Sequence, residues 1–311
     1  MFTNSKKSAT LILSDGTKFK GETLGKKGTT IGEIVFTTSM TGYLETLTDP
    51  SYYGQIVMQT FPLIGNYGVN FSDAEGEKPK LFGYIVKDCC KTPSNFRSKE
   101  SLEEWLTKNN IIAIKGIDTR KLTKIIRENG VLNGAITTEE IENEKEFLKK
   151  IRNFKIKDAI KKCSTKETKI LTCNEEKTNV ICLIDFGVKK NIITNLRKRA
   201  KKVVLMPYNT TKKEIERINP DGIVLSNGPG DPAENLEIIE NLKEIISLKI
   251  PIFGVCLGHQ LLAIANGAKT EKLKYGHRGA NQPVLDASLN KILITSQNHG
   301  FSVLKNSMDA H

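Results

Sequence analysis

The stretch PIFGVCLGHQLLAIANG, residues 251–267, decides the fold of the second half of this 311-residue chain. Its first part is short and apolar, as in a buried strand, and its second part has the apolar spacing of a helix. Cys256 lies between them and is flanked by Gly254 and Gly258. Glycines on both sides permit the sharp, strained turn from strand to helix that presents a nucleophile at the end of a parallel strand. The stretch therefore predicts a nucleophile elbow in an α/β fold.

Cys256 is the predicted nucleophile. At a helix N-terminus, free N–H groups and the helix dipole stabilise a thiolate and can also hold the oxyanion of a tetrahedral intermediate. The alternative is a buried structural cysteine at the end of a strand. The two glycines, together with His259 and Gln260 directly after the turn, favour catalysis.

Outward from the elbow, short apolar segments alternate with amphipathic ones. The predicted strands cover residues 180–185, 203–206, 222–225 and 250–255. The predicted helices cover residues 189–199, 212–218, 235–248 and 258–265. This alternation is typical of a doubly wound, mostly parallel α/β sheet, in which ligands bind at the carboxyl ends of the strands.

The first half of the chain is β-rich instead. Its predicted strands cover residues 10–13, 18–21, 33–38, 56–61, 81–87 and 111–114, and its predicted helices cover 101–109 and 119–129. We therefore predict a β-rich N-terminal domain over residues 1–150 and an α/β domain over 179–311. The Lys/Glu-rich segment 151–178 is the predicted linker.

Composition excludes several classes of protein. Hydrophobic residues make up 38% of the chain and charged residues 26%, without an apolar run long enough to span a bilayer or a signal peptide at the N-terminus. A cytoplasmic protein without membrane contact is expected. The net charge of +12 comes from dispersed lysines that are not interleaved with aromatic residues. This pattern argues against nucleic-acid binding and leaves open an acidic face on a partner subunit.

The six cysteines do not form a metal-binding pattern. None belongs to a C-x-x-C pair, and Cys89 and Cys90 are adjacent, which is poor spacing for metal ligands. We therefore expect six thiols and no metal site.

A second motif, LSNGPGDP at residues 225–232, follows a predicted buried strand. By itself it could be an ordinary turn, because Asn-Gly and Pro-Gly both favour turns. Together, GVCLGHQ and LSNGPGDP resemble the nucleophile and oxyanion motifs of class I glutamine amidotransferases. The resemblance implies that a cysteine attacks the glutamine side-chain amide and releases ammonia.

Further motifs resemble one family among the amidotransferases, the small subunits of carbamoyl-phosphate synthetase. They are VFTTSMTGYLETLTDPSYYGQIV (35–57), FPLIGNYG (61–68), GIDTRKLTKIIRENG (116–130), KYGHRGANQPV (274–284) and TSQNHGFSV (295–303). The resemblance covers essentially the whole chain. It implies a glutaminase subunit that delivers ammonia to a large subunit, which makes carbamoyl phosphate from bicarbonate and ATP. That product feeds pyrimidine and arginine synthesis.

The resemblance also implies roles for individual residues. Besides the nucleophile Cys256, it implies glutamine-binding roles for Ser51, Gly228, Gly230, Leu257, Gln260, Asn298, Gly300 and Phe301. Gly228 and Gly230 would also hold the oxyanion. The sequence contains no nucleotide-binding motif, so we expect this chain to hold no cofactor. ATP and Mg²⁺ are expected on the large subunit.

The catalytic base is not assigned. The family takes its histidine and acid from an H-P-E-like motif beyond the NHGF segment, and His259, His277, His299 and His311 do not match that motif. Two explanations stay open: a C-terminally incomplete sequence, or a natural protein that has lost turnover. We predict little or no glutamine hydrolysis by this polypeptide, although Cys256 still reacts with a glutamine-mimicking electrophile.

Two other functions remain as alternatives. One is the glutaminase component of another biosynthetic enzyme, such as anthranilate or GMP synthesis, against which the N-terminal domain argues. The other is a regulatory protein that binds glutamine without turning it over.

Overall fold

The computed structural model describes residues 8–172 and 176–307, which form two compact units. The first unit comprises the chain up to Ile156 together with His277–Asn298. The second comprises Lys157–Gly276 and the residues from His299 onward. Within the described ranges, no helix has both the length and the apolar character needed to cross a membrane.

The first unit contains a closed barrel of seven strands. These are β1 (Ser8–Leu13), β2 (Lys18–Gly25), β3 (Thr29–Thr37), β4 (Gln55–Gln59), β6 (Gly83–Ile85), β8 (Ile112–Lys115) and β9 (Leu132–Thr137). They pair in the order β1-β2-β8-β6-β4-β3-β9, and β9 closes the barrel onto β1. The pairs β3/β4, β4/β6 and β6/β8 are parallel, and the other pairs are antiparallel.

Helices and short strands complete this unit. The helices are α1 (Tyr43–Thr48), α2 (Leu102–Lys108), α3 (Thr119–Asn129) and α4 (Glu144–Arg152), and β5 (Leu63–Ile64) pairs in parallel with β7 (Asp88–Cys89). The parallel strands of the barrel are buried on both faces. Ile56 and Met58 on β4 pack with one apolar cluster, which includes Leu122 of α3, whereas Val57 packs with another, which includes Trp105 of α2. Successive side chains of the strand therefore point to opposite faces and pack in two separate apolar cores.

The second unit is a five-stranded sheet. Its strands are β10 (Lys169–Thr172), β11 (Val180–Ile184), β12 (Lys202–Met206), β13 (Gly222–Leu225) and β14 (Ile252–Gly254), in the order β10-β12-β11-β13-β14. Only the β10/β12 pair is antiparallel among these pairings. The helices are α5 (Ala159–Cys163), α6 (Lys190–Arg197), α7 (Lys212–Ile218), α8 (Leu236–Ile246) and α9 (Leu257–Ala265).

Both faces of this sheet are covered, which makes it doubly wound. On β11, Cys182 and Ile184 pack with side chains of α7, α8 and α9. Leu183 points to the other face and packs with Ile192 and other residues of α6. The predicted fold class, a β-rich N-terminal part followed by a doubly wound, mostly parallel α/β part, is confirmed.

A long two-stranded ribbon follows, formed by β15 (Thr270–Asp286) and β16 (Lys291–Val303). Its part over His277–Asn298 clusters with the first unit and its remainder with the second. Apolar side chains at its tip, such as Ile292 and Ile294, are exposed.

Local structure departs from the sequence prediction in a few places. Residues 151–178, predicted as a linker, contain α5 and the edge strand β10, and β10 is held by pairing with β12. Helix α1, strand β9 and the ribbon were not predicted. The predicted domain limits themselves stay a prediction. Cys173 and His311 lie outside the described residues.

Candidate active site

Cys256 stands at the turn between β14 and α9, as the sequence predicts. Its backbone has φ 50° and ψ −107°, a positive-φ conformation that is costly for any residue other than glycine. The turn is held on both sides: Val255 N donates to Leu225 O (2.9 Å), and Gln260 N donates to Cys256 O (3.0 Å). The strained nucleophile position is therefore fixed by the strand before it and the helix after it.

The glycines around Cys256 are required by close packing. A Cβ on Gly258 would lie 2.4 Å from Leu225 O, and a Cβ on Gly254 would lie 2.6 Å from the Cα of His259. Contacts this short to backbone cannot be relieved by side-chain movement. The G-x-C-x-G pattern is thus explained by the space available at this turn.

The loop after β13 runs beside the elbow. Gly258 N donates to Ser226 O (3.0 Å), which ties the start of α9 to this loop. A Cβ on Gly228 would lie 2.4 Å from Phe186 O and 2.8 Å from Leu257 Cδ2, so only glycine fits there. Gly230 has φ +96°, a conformation that glycine adopts without strain. The structure therefore brings Gly228 and the Cys256–Leu257 turn together.

Buried polar side chains fix the neighbouring loop after β11. Asp185 is 4% exposed, and its Oδ1 accepts hydrogen bonds from Gly187 N and Val188 N, both at 2.8 Å. Ser226 Oγ accepts a hydrogen bond from Phe186 N (2.9 Å), and Asn227 Nδ2 donates to Gly187 O (3.0 Å). The two loops that follow β11 and β13 are therefore cross-linked into one rigid surface.

Gln260 and Phe301 are joined directly. Gln260 is buried, and its Nε2 donates to Phe301 O at 2.7 Å. The same carbonyl oxygen lies 2.8 Å from His299 Nδ1. Because a carbonyl oxygen only accepts, Nδ1 is the protonated nitrogen that donates in this hydrogen bond. Gly300 lies between His299 and Phe301 on β16. Helix α9 thereby positions the backbone of residues 299–301.

Ser51 and Asn298 belong to the first unit, where Asp49 links them. Asp49 is 2% exposed; its Oδ1 accepts from Ser51 N (2.9 Å) and its Oδ2 accepts from Asn298 Nδ2 (3.0 Å). One buried carboxylate thus orients two residues that are far apart in sequence. The other predicted site residues belong to the second unit.

Several of these positioning residues were missed from sequence. Asp49 lies inside the quoted TDPSY motif, and the Asp-Pro pair that begins a turn is the available signal. Asp185 has a different turn signal, since it stands directly after a buried strand and two residues before Gly187. Ser226 and Asn227 lay within a quoted motif, but their roles depend on contacts with another loop.

The described histidines do not identify the base. His259 is exposed on α9, His277 lies in the first unit, and His299 Nδ1 contacts a carbonyl oxygen. Over residues 8–172 and 176–307, no group of three or more His, Cys, Asp or Glu side chains is arranged to hold a metal ion.

Two other cysteines are kept as thiols by burial. Burial raises the pKa of Cys89 to about 12 and that of Cys182 to about 12. Both side chains are packed in apolar clusters, so they behave as small hydrophobic residues. Cys256, by contrast, is only partly buried.

Two protein families match the chain. The family described as carbamoyl-phosphate synthase small chain, CPSase domain, matches residues 11–136. The class-I glutamine amidotransferase family matches residues 182–311. The first match covers most of the barrel, and the second covers the elbow and the sheet from within β11 onward, without β10.

Curated relatives match almost the whole chain. The carbamoyl phosphate synthase small chain of Clostridium perfringens is 48% identical over 295 residues, which cover 95% of this chain and 83% of that one. The protein of the same name from Bacillus cereus is 49% identical over 299 residues, with 96% and 80% covered. The Listeria monocytogenes relative is 48% identical, with 96% and 81% covered.

Proposed function

Because the chain belongs to the family of carbamoyl phosphate synthase small chains, we propose that it is the glutaminase subunit of that synthetase. The observation that carries the proposal is the elbow: Cys256 stands in a strained turn at the start of α9, beside the glycine loop after β13. That arrangement supports attack of a thiolate on an amide carbonyl. No observation favours a regulatory protein without turnover.

The proposed reaction proceeds through a thioester. Cys256 Sγ attacks the side-chain amide carbon of glutamine, the C–N bond breaks, and nitrogen leaves as ammonia after gaining a proton. Water then cleaves the γ-glutamyl thioester, which gives glutamate and restores the thiol. Backbone N–H groups near Gly228 and Gly230 stabilise the oxyanion of each tetrahedral intermediate.

The remaining predicted residues bind glutamine in this proposal. Leu257 and Gln260 lie beside Cys256 on α9 and would contact the glutamine there, and the Gln260 amide also donates to Phe301 O. Asn298, Gly300 and Phe301 would hold the α-amino and carboxylate groups. The glutamine-binding role of Ser51 is supported by the resemblance and by its rigid attachment to Asp49.

The ammonia passes to a large synthetase subunit in this proposal. The small-chain family implies that partner, which combines ammonia with bicarbonate and ATP to form carbamoyl phosphate. ATP and Mg²⁺ are assigned to the large subunit, and no cofactor, metal or nucleic acid is assigned to this chain. The cytoplasm is the proposed location.

Active-site labelling tests the glutaminase proposal. The purified chain is treated with a chloroketone analogue of glutamine, and the modified residue is identified by mass spectrometry. We expect one adduct, on Cys256, which forms more slowly when glutamine is added. Asparagine, one methylene shorter, serves as the matched competitor and should protect poorly. Adducts elsewhere, or equal protection by both amino acids, would contradict the proposal.

Turnover and partnership are measured separately. Ammonia release from glutamine tests the prediction of little or no glutamine hydrolysis by this polypeptide; robust release would show that prediction to be wrong and would leave the nucleophile assignment intact. Co-expression with the large subunit of the same organism tests partnership. We expect the two chains to copurify, and separate elution at physiological salt would contradict the assigned partner.

A further inference from the structure

One motif quoted from the sequence has no part in the proposed reaction: GIDTRKLTKIIRENG, residues 116–130. In the first unit it forms the loop after β8 and the helix α3. Along this helix runs an open cleft of about 570 Å³, which is also lined by Thr60 and Lys87. These two residues follow strands β4 and β6, so the cleft lies beyond the carboxyl ends of three adjacent parallel strands.

The cleft is strongly cationic. Lys87, Arg120, Lys124 and Arg127 line it, against the single carboxylate of Asp118. All four basic side chains are exposed. Among the described residues none of these four forms a salt bridge, whereas other lysines do, such as Lys18 with Glu144 and Lys243 with Glu240. Four uncompensated cations converging on one cleft create a local positive potential that attracts an anionic partner.

The walls of the cleft are rigid. Gly116 N donates to Lys87 O (3.0 Å), which joins the loop after β8 to the loop after β6. Asp88 N donates to Pro62 O (3.0 Å), which joins the loop after β6 to that after β4. Helix α3 is anchored beneath by the buried residues Leu122 and Ile126. The cations are therefore displayed on a preformed surface.

We propose that this cleft is a docking site for an acidic polypeptide segment of a partner protein. Arg120, Lys124 and Arg127 are spaced along α3 at one-turn intervals, and a rise of 1.5 Å per residue places the first and last about 10 Å apart. An extended segment advances about 6.6 Å for every second residue, so acidic side chains within three or four residues can reach all of them. Carboxylates pair with arginine in a bidentate manner.

The helix terminus argues against a small phosphate compound as the occupant. Asp118 Oδ1 accepts a hydrogen bond from Lys121 N at 2.9 Å and so already caps α3. Its negative charge occupies the place where a phosphate would use the helix N-terminus. The proposal is independent of the glutaminase assignment, because the cleft and the elbow belong to different units.

The test measures binding of a fluorescein-labelled hexaglutamate peptide to the full chain by anisotropy at low salt. The test variant is Arg120→Glu with Lys124→Glu. The control is Lys26→Glu with Lys27→Glu, which makes the same change in net charge. Lys26 N bonds Ile111 O, before the amino end of β8, so the control lies at the opposite end of that strand from the cleft.

We expect the peptide to bind the wild-type chain, with affinity reduced at least about tenfold in the cleft variant and less than about twofold in the control. Equal losses in both variants, or no binding to wild type, would overturn the proposal. Tripolyphosphate is titrated alongside: cleft-dependent binding of tripolyphosphate without binding of hexaglutamate would assign the cleft to a small anion. Thermal unfolding checks that each variant is folded. If the variant with two glutamates is unfolded, Arg120→Gln with Lys124→Gln is used in its place.

Discussion

The elbow around Cys256 and the turn around Asp49 fix functional residues in two different ways. At the elbow, strain and glycine packing hold the backbone: Cys256 has a positive φ, and Gly258 has no room for a Cβ. At the other turn, a buried carboxylate holds Ser51 N and the Asn298 side chain through two hydrogen bonds. One site is held by steric packing of the backbone and the other by hydrogen bonds to a buried carboxylate.

The difference decides how each site tolerates change. A site held by sterics fails when atoms are added, because a packed backbone cannot yield. A site held by a buried carboxylate fails when the carboxylate is removed or replaced by a donor, since the groups that donated to it lose that acceptor. The following substitutions test this contrast.

The largest effect is expected at the nucleophile itself. Cys256→Ser should lower the rate of modification by the glutamine chloroketone at least about a thousandfold, because a serine hydroxyl is a far weaker nucleophile without an assigned base. Mass spectrometry of the adduct measures the rate. Cys90→Ser, in the first unit, is the matched control and should leave the rate unchanged. A similar loss in both variants would mean that Cys256 is not the reacting group.

Gly258→Ala tests the steric half of the contrast. Its Cβ would lie 2.4 Å from Leu225 O, so we expect a loss of about 3 kcal/mol in the free energy of unfolding. Urea denaturation measures the loss. The control is Gly222→Ala on β13, whose Cβ would lie 3.3 Å from the tip of the Ile181 side chain and 3.8 Å from Pro251 O. If both variants were equally stable, close packing would not explain the glycine.

Asp49→Ala tests the polar half. It leaves Ser51 N and Asn298 Nδ2 without this acceptor, and we expect a loss of about 2 kcal/mol in the free energy of unfolding. Asp49→Asn should cost less than Asp49→Ala, since its amide oxygen can still accept from Ser51 N. The amide NH2 that takes the place of Oδ2 cannot accept from Asn298 Nδ2. Combining Asp49→Asn with Asn298→Asp restores a donor–acceptor pair. Failure of this double variant to recover stability would show that the contact is not the cause.

The smallest effect is expected at two helix N-caps, one in each unit. Ser101 and Glu104 form a capping box on α2, and Glu214 accepts hydrogen bonds from Thr211 at the start of α7. Ser101→Ala and Thr211→Ala should each cost about 1 kcal/mol at neutral pH, measured by urea denaturation. Unequal losses would indicate that the two units depend differently on their helix caps.

The same caps give a pH dependence. Hydrogen bonds from Ser101 lower the pKa of Glu104, and those from Thr211 lower the pKa of Glu214. A carboxyl whose pKa is lowered on folding stabilises the protein above its usual pKa, and that stabilisation is lost as pH falls through the folded value. The difference between wild type and each variant should therefore shrink below about pH 4. A difference that stays constant down to pH 3 would contradict this coupling.

Local patterns predicted much of the fold. Helix α3 and strand β13 begin and end where their apolar spacing and flanking glycines indicate. Strand β9 was missed because Gly134 reads as a strand breaker, whereas a Cβ there would lie 2.3 Å from Ile34 Cδ1. Close packing of β9 against Ile12 of β1 and Ile34 of β3 favours the glycine, and no short window of sequence shows that packing. Strand β10 has few apolar residues and exists through its pairing with β12.

The candidate site also contains some residues that the sequence predicts and others that only the structure shows. Cys256, Gly254 and Gly258 are readable from sequence because they form one short G-x-C-x-G pattern between an apolar strand and a helix. The contact between Asp49 and Asn298 spans 249 positions, and only the folded chain brings it about. Long-range polar contacts produce no periodic pattern in the sequence. Residues that position others through such contacts can therefore be identified only from the structure.

The order of synthesis gives the ribbon a further significance. Strand β9 closes the barrel at residue 137, yet Thr38 bonds Asn281 and Asp49 bonds Asn298 in the same unit. A nascent chain therefore carries all the barrel strands but lacks their contacts with residues 277–298 while residues 157–276 emerge from the ribosome. A fragment ending at Ile156 would contain all seven barrel strands but would lack Asn281 and Asn298, which contact Thr38 and Asp49. Dissection of this protein for separate study therefore requires grafting the 277–298 ribbon onto the barrel.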